Sequence, residues 1–393
     1  MLESLINLMG GFQTALTPVN LLFCLGGVAM GMFVGVLPGL GPVAGTALLI
    51  PMTYGLEPVT AIIMLAGIFY GAMYGGTITS VLINTPGEGA SVITCIDGYQ
   101  MARQGRAGQA LGVAAIGSFV GGVVAILCLT FLGPAIADIA LGFGPPEFFS
   151  LMCFGLLLVV GLMGKSVVKG LIAVILGVLL SEIGIDSGSG MDRFLFGQIE
   201  LLDGIDFVVL AMGLFGISEI LLNMEDVEKV QVPAKVENMI PPREEWKPTL
   251  AAIARGTGIG MVLGLIPGSS ASLASLISYS VEKKVAKDPS RFGHGAIEGV
   301  AGPETANNAY SGAALIPLFT LGIPSSPTVA ILLGAFIMHG LNPGPLLYQN
   351  DPDFIWGVTA SIVIGNVLLL IKNLPMANLG AQVPLVPYQL LYP

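Results

Sequence analysis

Long apolar stretches without a single charged residue dominate this chain. No Asp, Glu, Lys or Arg occurs in residues 4–56, 58–87, 107–137, 256–281 or 305–350. A helix that crosses a membrane needs about 20 apolar residues, so several of these stretches are long enough for more than one crossing. The strands of a membrane barrel would instead alternate apolar and polar residues in segments of about ten. The pattern predicts an all-α polytopic membrane protein with about 9–11 membrane segments.

A short apolar phrase that ends in Pro-Gly occurs twice. Residues 31–39 read Gly-Met-Phe-Val-Gly-Val-Leu-Pro-Gly, and residues 260–268 read Gly-Met-Val-Leu-Gly-Leu-Ile-Pro-Gly. Proline lacks a backbone N–H and glycine costs about 1 kcal/mol inside a helix, so each phrase predicts a helix end. Paired interruptions at corresponding positions of two halves are typical of transporter binding sites.

The apolar arm after each phrase is short. The first arm extends to about Leu56 and the second from Ser269 to Val281. As a helix, each arm would span roughly 20 Å, against about 30 Å for the hydrocarbon core. We therefore predict two re-entrant hairpins whose tips lie inside the membrane and are covered by protein. Two further breaks, Asn84–Glu88 and Gly322–Pro327, interrupt the helices that follow.

A charged segment separates the two halves. Residues 225–247 contain ten of the forty charged residues and three prolines, which indicates a solvent-exposed linker. The predicted division is a first repeat with scaffold helices over 1–224, a linker over 225–248 and a second repeat over 249–393. We expect inverted repeats of opposite membrane orientation, whose four breaks surround one cavity of about 300 Å³ or more.

Composition supports a membrane protein and argues against a nucleic-acid-binding protein. Only 10% of the residues are charged and 54% are hydrophobic, whereas soluble domains carry about 25% charged residues. The lipid bilayer is therefore an expected partner. The net charge of −10 and the lack of a basic tract argue against nucleic acid. A polar stretch with Asp97, Arg103 and Arg106 is predicted to be a loop after the second break, on the cytoplasmic side.

The freed backbone groups at the four breaks form the candidate substrate site. A helix that begins after a break presents N–H groups and a positive dipole end, which suit a carboxylate, whereas a helix that ends there presents carbonyls, which suit Na⁺. For any single break, the simpler interpretation is that it only kinks the helix. The candidate substrate-binding residues are Pro38, Gly39, Gly41, Asn84, Thr85, Pro86, Gly87, Pro267, Gly268, Ser269, Ser270, Asn307, Asn308, Gly322, Pro324, Ser325 and Ser326.

Two acidic residues near the breaks are candidates for ion coupling. Glu88 and Glu304 lie in or beside apolar regions, where an ionisable side chain indicates function. Because they would repel an anionic substrate, a role with Na⁺ or H⁺ is favoured; a position at the water interface is the alternative. His294 and His339 are isolated, so no metal site is predicted. We expect no catalytic residues and no cofactor beyond a coupling Na⁺ or H⁺.

Four segments carry a family resemblance. They read Gly-Val-Leu-Pro-Gly-Leu-Gly-Pro at 35–42, Tyr-Gly-Gly-Thr-Ile-Thr-Ser-Val-Leu-Ile-Asn-Thr-Pro-Gly-Glu at 74–88, Asp-Gly-Tyr-Gln-Met-Ala-Arg-Gln-Gly at 97–105, and Glu-Gly-Val-Ala-Gly-Pro-Glu-Thr-Ala-Asn-Asn at 298–308. Together they resemble the large membrane subunit of the tripartite tricarboxylate transporters. The resemblance implies a multi-pass symporter of the bacterial inner membrane that imports citrate-like di- and tricarboxylates. It also implies two partners, a periplasmic solute-binding protein and a small four-helix membrane subunit.

The resemblance also implies an architecture. Two alternative functions remain, a passive anion channel and an intramembrane enzyme. It implies re-entrant hairpins, inverted repeats and elevator movement, as in other ion-coupled anion transporters. Members of the family are typically longer, so the C-terminal part of the fold is expected to be absent here. A passive anion channel would carry substrate without an ion gradient. An intramembrane enzyme would need a catalytic pair on facing helices, and the sequence offers none.

Overall fold

The chain is organised as helices joined by breaks and turns. This computed structural model describes residues 2–37, 39–162, 166–185, 191–202, 204–205, 209–210, 212–218, 221, 236 and 238–380. The first half contains α1 (Leu2–Ala15), α2 (Pro18–Val36), α3 (Gly41–Leu49), α4 (Pro58–Ile83), α5 (Val92–Arg103), α6 (Ala107–Ala140), α7 (Pro145–Leu162) and α8 (Val167–Ser181).

Helices also form the second half. They are α9 (Arg243–Gly264), α10 (Ala271–Val285), α11 (Glu298–Ala313), α12 (Leu315–Leu321), α13 (Pro327–Met338), α14 (Leu347–Asn350) and α15 (Pro352–Gly380). Between the halves lie two short antiparallel strands, β1 (Gly184–Ile185) and β2 (Asp192–Arg193), and a π-helical turn at Met212–Ile217.

Four of the described helices are long and apolar enough to cross a membrane. They are α2, α4, α6 and the Pro352–Asn373 part of α15. Shorter apolar helices occupy Gly41–Thr53, Val167–Ser181 and Pro327–Met338. The prediction of an all-α membrane protein is confirmed, while the number of membrane segments stays a prediction.

All four predicted breaks separate helices. The first lies between α2 and α3, and the third lies between α9 and α10. The other two follow a residue with left-handed backbone conformation, Asn84 (φ 58°) after α4 and Gly322 (φ 71°) after α12. A residue in this conformation ends an α-helix and redirects the chain. Two different chemistries, Pro-Gly and a left-handed cap, therefore produce the breaks.

Glycines bring the backbones of α2 and α4 into direct contact. Three glycines of α2 face backbone carbonyls of α4, in the pairs Gly27–Met64, Gly31–Ile68 and Gly35–Ala72. A Cβ atom at any of these glycines would overlap the carbonyl that it faces. Small residues spaced by four along a helix permit this close approach.

The same contact recurs between α9 and α11. Here the pairs are Gly256–Gly302, Gly260–Ala306 and Gly264–Tyr310. The α9 glycines lie 229 positions after their α2 counterparts, which is the separation of the repeated Pro-Gly phrases. Each half therefore contains a glycine-packed helix pair whose first helix ends at a Pro-Gly break.

The core is centred on the second helix of each pair. Every residue of α4 from Thr60 to Ile83 is buried, and every residue of α11 is buried. In contrast, Gly170 is the one residue of α8 that the structure buries, and the apolar side chains of this helix are largely exposed. Protein, rather than lipid, therefore surrounds the backbones of α4 and α11.

The segment after the second break is a helix, so the prediction of a polar loop there is wrong. It forms α5, and Asp97 is fully buried within it. Oδ1 of Asp97 accepts hydrogen bonds from the backbone N–H groups of Gly293, Gly295 and Ala296 at 2.7–2.9 Å. These donors come from a distant loop, so the local sequence around Asp97 does not reveal them.

The predicted linker lies mostly outside the described residues. Residues 222–235 and 237 are not described, and neither is the end of the second predicted repeat, 381–393. Helix α9 begins at Arg243, within the predicted linker 225–248. The predicted helix over 204–223 is described only in short pieces.

Candidate functional site

A cavity of about 480 Å³ lies where the four breaks meet. Each break contributes one segment to its wall, residues 39–44, 86–89, 270–272 and 326–328. These segments are spread over nearly 290 positions of the chain, so only the fold brings them together. Breaks that served only as kinks would have no reason to converge on one space.

Four helices begin at this cavity. The wall includes the first residue of α3, α5, α10 and α13, which are Gly41, Val92, Ala271 and Pro327. The first N–H groups of a helix have no partner inside the helix, and the N-terminus carries roughly half a positive charge. Four such ends around one space create a site that favours an anion.

Serine caps order two of these helix starts. The Ser270 hydroxyl accepts a hydrogen bond from the N–H of Leu273 at 3.1 Å, and the Ser326 hydroxyl accepts one from Val329 at 3.3 Å. Each cap satisfies one early N–H of its helix. The helix starts at the third and fourth breaks thus have the same local construction.

The rest of the wall is apolar or weakly polar. Phe69 and Met73 of α4 contribute carbon surface, and Tyr310 and Ser311 of α11 lie beside them. The Tyr310 hydroxyl lies 2.9 Å from the carbonyl oxygen of Ser269 and 3.3 Å from that of Ser325, and it can donate to either. This residue therefore joins the third and fourth breaks.

Glu88 is the one acidic residue among the described residues that line the cavity. Its Oε2 accepts a hydrogen bond from the N–H of Ala90 at 2.5 Å. No Lys, Arg or His of the described residues contributes to the wall. Arg255, the basic residue nearest the third break in sequence, instead forms a bidentate ion pair with Glu282 at 2.5 and 2.7 Å. Any attraction for an anion therefore comes from helix ends rather than from basic side chains.

The sequence itself matches the tripartite tricarboxylate transporter TctA family over residues 21–393. The chain belongs to this family. A protein of Agrobacterium vitis, described as an uncharacterized 52.8 kDa protein in the TAR-I ttuC' 3' region, is 50% identical over 394 residues, which cover 100% of this chain and 78% of that protein. A second Agrobacterium vitis protein, described as uncharacterized and in the TAR-II ttuC' 3' region, is 52% identical over 134 residues, which cover 34% of this chain and 55% of that protein. No solved structure matches the chain.

The predicted site residues of this TctA family member divide into two groups. Those on the cavity wall are Gly39, Gly41, Pro86, Gly87, Glu88, Ser270 and Ser326. Those away from the wall are Asn84, Thr85, Pro267, Gly268, Ser269, Asn307, Asn308, Gly322, Pro324, Ser325 and Glu304. Pro38 lies outside the described residues.

Several predicted hydroxyl ligands bond to the protein backbone instead of facing the cavity. The Ser269 hydroxyl donates to the carbonyls of Leu263 and Ile266, near the end of α9. The Ser325 hydroxyl donates to the carbonyl of Ala314 at 3.2 Å. Because the last carbonyls of a helix lack partners inside it, hydroxyls that follow a helix end are drawn to them. These residues shape the breaks without lining the site.

A buried polar cluster is centred on Glu304. The carboxylate of Glu304 accepts hydrogen bonds from Thr77 at 2.7 Å, from Thr94, and from the amide of Asn307 at 3.3 Å. Asn308 donates to Ser118 at 2.8 Å. The cluster joins α4, α5, α6 and α11, so Asn307 and Asn308 belong to this network rather than to the cavity wall.

Sequence reasoning missed several wall residues. Gly89 and Ser272 adjoin predicted positions, so extending the second and third breaks by one or two residues would have found them. Phe69, Met73 and Tyr310 lie in helix interiors, where nothing in the local pattern separates a wall residue from a core residue.

A second cavity adjoins the first. It measures about 380 Å³, and its wall includes Gly268 and Ser269 of the third break. The two cavities share Gly89, Val92, Ser270 and Ser272. The start of α5 and the start of α10 thus form a common partition between two spaces.

Proposed function

We propose that this chain is the large membrane subunit of a secondary active, ion-coupled transporter that imports citrate-like di- and tricarboxylates. Membership of the tripartite tricarboxylate transporter TctA family supports transport as the general activity. The observation that carries the finer proposal is the convergence of four helix N-termini on one cavity whose wall lacks basic side chains.

The size and chemistry of the cavity suit a small polycarboxylate. A volume of about 480 Å³ falls in the range of small-molecule sites, about 300–1,000 Å³. Carboxylate oxygens would accept hydrogen bonds from the free N–H groups at the helix starts. The short carbon chain between the carboxylates would contact Phe69 and Met73. Binding by dipoles and N–H groups, without an ion pair, would remain weak enough to release the substrate after transport.

The two glycine-packed helix pairs support a duplicated architecture. Each pair leads into a Pro-Gly break and a short helix, α3 in one half and α10 in the other. We infer that the halves are inverted repeats, that each short helix is one arm of a re-entrant hairpin, and that the hairpin tips enter from opposite membrane faces. Elevator movement of the cavity across the membrane would then give alternating access.

Ion coupling and partners complete the proposal. Na⁺ or H⁺ would couple through the acidic residues Glu88 and Glu304. A periplasmic solute-binding protein would deliver the carboxylate, and a small four-helix membrane subunit would assemble with this chain in a bacterial inner membrane. Membership of a tripartite transporter family supports the expectation of two partner subunits.

Reconstitution tests the function. The chain and its partner subunits are placed in liposomes, and uptake of radiolabelled citrate and succinate is measured with imposed Na⁺ or pH gradients. We expect accumulation that needs a gradient, the binding protein and the small subunit. Equilibration without accumulation under any gradient would instead identify a passive anion channel. Full-rate uptake by this chain alone would contradict the tripartite requirement.

A further inference from the structure

One oxygen of the Glu88 carboxyl group has no hydrogen-bond partner. Oε2 is satisfied by the N–H of Ala90, but Oε1 is buried and unpartnered, and the whole side chain is only 8% exposed. The residue nevertheless belongs to the cavity wall. An ionised carboxylate that loses water without gaining partners pays several kcal/mol or more, so such a group is normally neutral.

Glu304, in contrast to Glu88, has a hydrogen-bond partner on each carboxyl oxygen. This carboxylate is fully buried, and its two oxygens accept three hydrogen bonds, from Thr77, Thr94 and Asn307. Donors directed at a carboxylate favour its charged form. These three hydrogen bonds offset part of the cost of burying the carboxyl group of Glu304.

Among the described residues, no Lys, Arg or His lines the cavity beside Glu88 to supply a compensating positive charge. The titratable groups that interact with it electrostatically are Glu304 and the thiol of Cys95. Tyr310 shares the cavity wall, but its hydroxyl is directed to backbone carbonyls. Two nearby carboxylates in a medium of low dielectric constant repel each other strongly, so one of them takes a proton. The unpartnered Oε1 favours Glu88 as the carboxyl group that takes the proton.

We propose that Glu88 is the proton-binding site of the transport cycle. This inference rests on the proposed function. The proton comes from water on the side where substrate enters and is released to water on the other side. On Oε1 it converts an acceptor that would repel a carboxylate into an O–H donor that can bond to one. Substrate and proton would therefore bind together.

Proton movement through the unaltered protein is the first test. The full transporter with its partner subunits is reconstituted in liposomes with an internal pH-sensitive dye and the membrane potential clamped at zero. The probe is radiolabelled citrate, in alkaline buffers in which it stays fully ionised. We expect citrate influx to acidify the lumen, and a gradient of one pH unit to concentrate citrate about tenfold for one proton. Citrate accumulation that needs Na⁺ and moves no protons would overturn the proposal.

Variants locate the site. Glu88→Gln resembles the neutral acid but cannot release a proton, so we expect loss of the roughly tenfold pH-driven accumulation. Exchange of external for internal citrate should persist at a reduced rate that no longer varies with pH, and Glu88→Asp should restore part of the pH dependence. Glu57→Gln removes an exposed acidic side chain outside the cavity and should leave accumulation unchanged.

Two results would overturn the assignment: pH-driven accumulation in Glu88→Gln, or loss of exchange in this variant. The proposed function has a separate criterion. If the unaltered transporter neither exchanges nor accumulates any tested carboxylate, the function itself is wrong, whereas an active transporter without proton movement refutes only the role of Glu88.

Discussion

The hydroxyl of Tyr279 donates a hydrogen bond to Oδ2 of Asp97 at 2.8 Å. Asp97 lies on α5 in the first half, and Tyr279 lies on α10 in the second. Oδ1 accepts hydrogen bonds from three backbone N–H groups. The carboxylate therefore has four donors, all from the second half. A single buried side chain thus joins the two halves.

Replacing Asp97 should therefore destabilise the fold. Asp97→Ala removes four acceptor contacts and leaves buried N–H groups unpaired, so we expect a loss of about 4 kcal/mol or more in the free energy of unfolding. Tyr279→Phe removes one bond and should cost about 1 kcal/mol. Unfolding of the purified protein in detergent measures both. Equal losses in the two variants would show that the N–H donors contribute little.

The contact between α9 and α11 should not tolerate a methyl group. Gly260→Ala places a Cβ against the Ala306 carbonyl, so we expect a loss of about 1–3 kcal/mol. Gly258 lies on the same helix, is exposed and faces open space, so Gly258→Ala should be neutral or stabilise by up to about 1 kcal/mol. Unfolding measurements on the two variants compare them directly. Similar losses would contradict the close approach of the helices.

The two serine caps at the cavity should affect both stability and transport. Ser270→Ala or Ser326→Ala should cost about 1 kcal/mol each. Each should also weaken substrate binding, because the first turn would no longer hold its N–H groups in place. Ser166 caps α8 in the same manner, through the N–H of Lys169 at 3.4 Å, but lies outside the cavity wall.

Ser166→Ala is therefore the matched control for the caps. It should reduce stability by a similar amount and leave the substrate concentration for half-maximal uptake unchanged. A shift of that concentration in Ser166→Ala equal to the shift in the cavity variants would mean that cap loss acts through the whole fold. Uptake measured over a range of citrate concentrations, beside thermal unfolding, distinguishes the two cases.

Gly89 should control passage between the two cavities. A Cβ at Gly89 would lie 2.8 Å from the Ser272 hydroxyl, across the partition that the cavities share. We expect Gly89→Val to reduce uptake about tenfold or more, equivalent to about 1.4 kcal/mol, without lowering the unfolding temperature. Adding Ser272→Gly should restore part of the uptake, since it removes the opposing hydroxyl.

Gly177 provides the control for this substitution. It lies on exposed α8 and faces open space, so Gly177→Val should leave uptake intact. Failure of Ser272→Gly to relieve the Gly89→Val block would show that the added side chain acts on something other than the partition.

Local chemistry made the breaks predictable. Pro-Gly in the two repeated phrases stops a helix whatever surrounds it, and the structure ends α2 and α9 just before these pairs. The break at Gly322 is also visible in the sequence, because glycine takes left-handed conformation without cost. Absence of charge over long stretches likewise indicated the membrane class without knowledge of any contact.

Orientation of side chains at the breaks could not be predicted. Ser269 and Ser270 are neighbours of the same type, yet one donates to the end of α9 and the other caps α10. The burial of Asp97 depends on donors nearly 200 positions away, and no local pattern records them. The pairing of α1 with α15 was missed for the same reason, since it joins the two ends of the described chain.

In the proposed function, helix starts rather than basic side chains attract the carboxylate, and this has an evolutionary consequence. A point mutation cannot delete the start of a helix that the surrounding fold holds in place, so the preference for anions resists sequence drift. Phe69, Met73 and Tyr310 determine the shape of the remaining wall, and a single codon change can alter each of them. Under the proposed function, relatives would therefore diverge in the size and carbon skeleton of the anion they accept while the sign of its charge stays fixed.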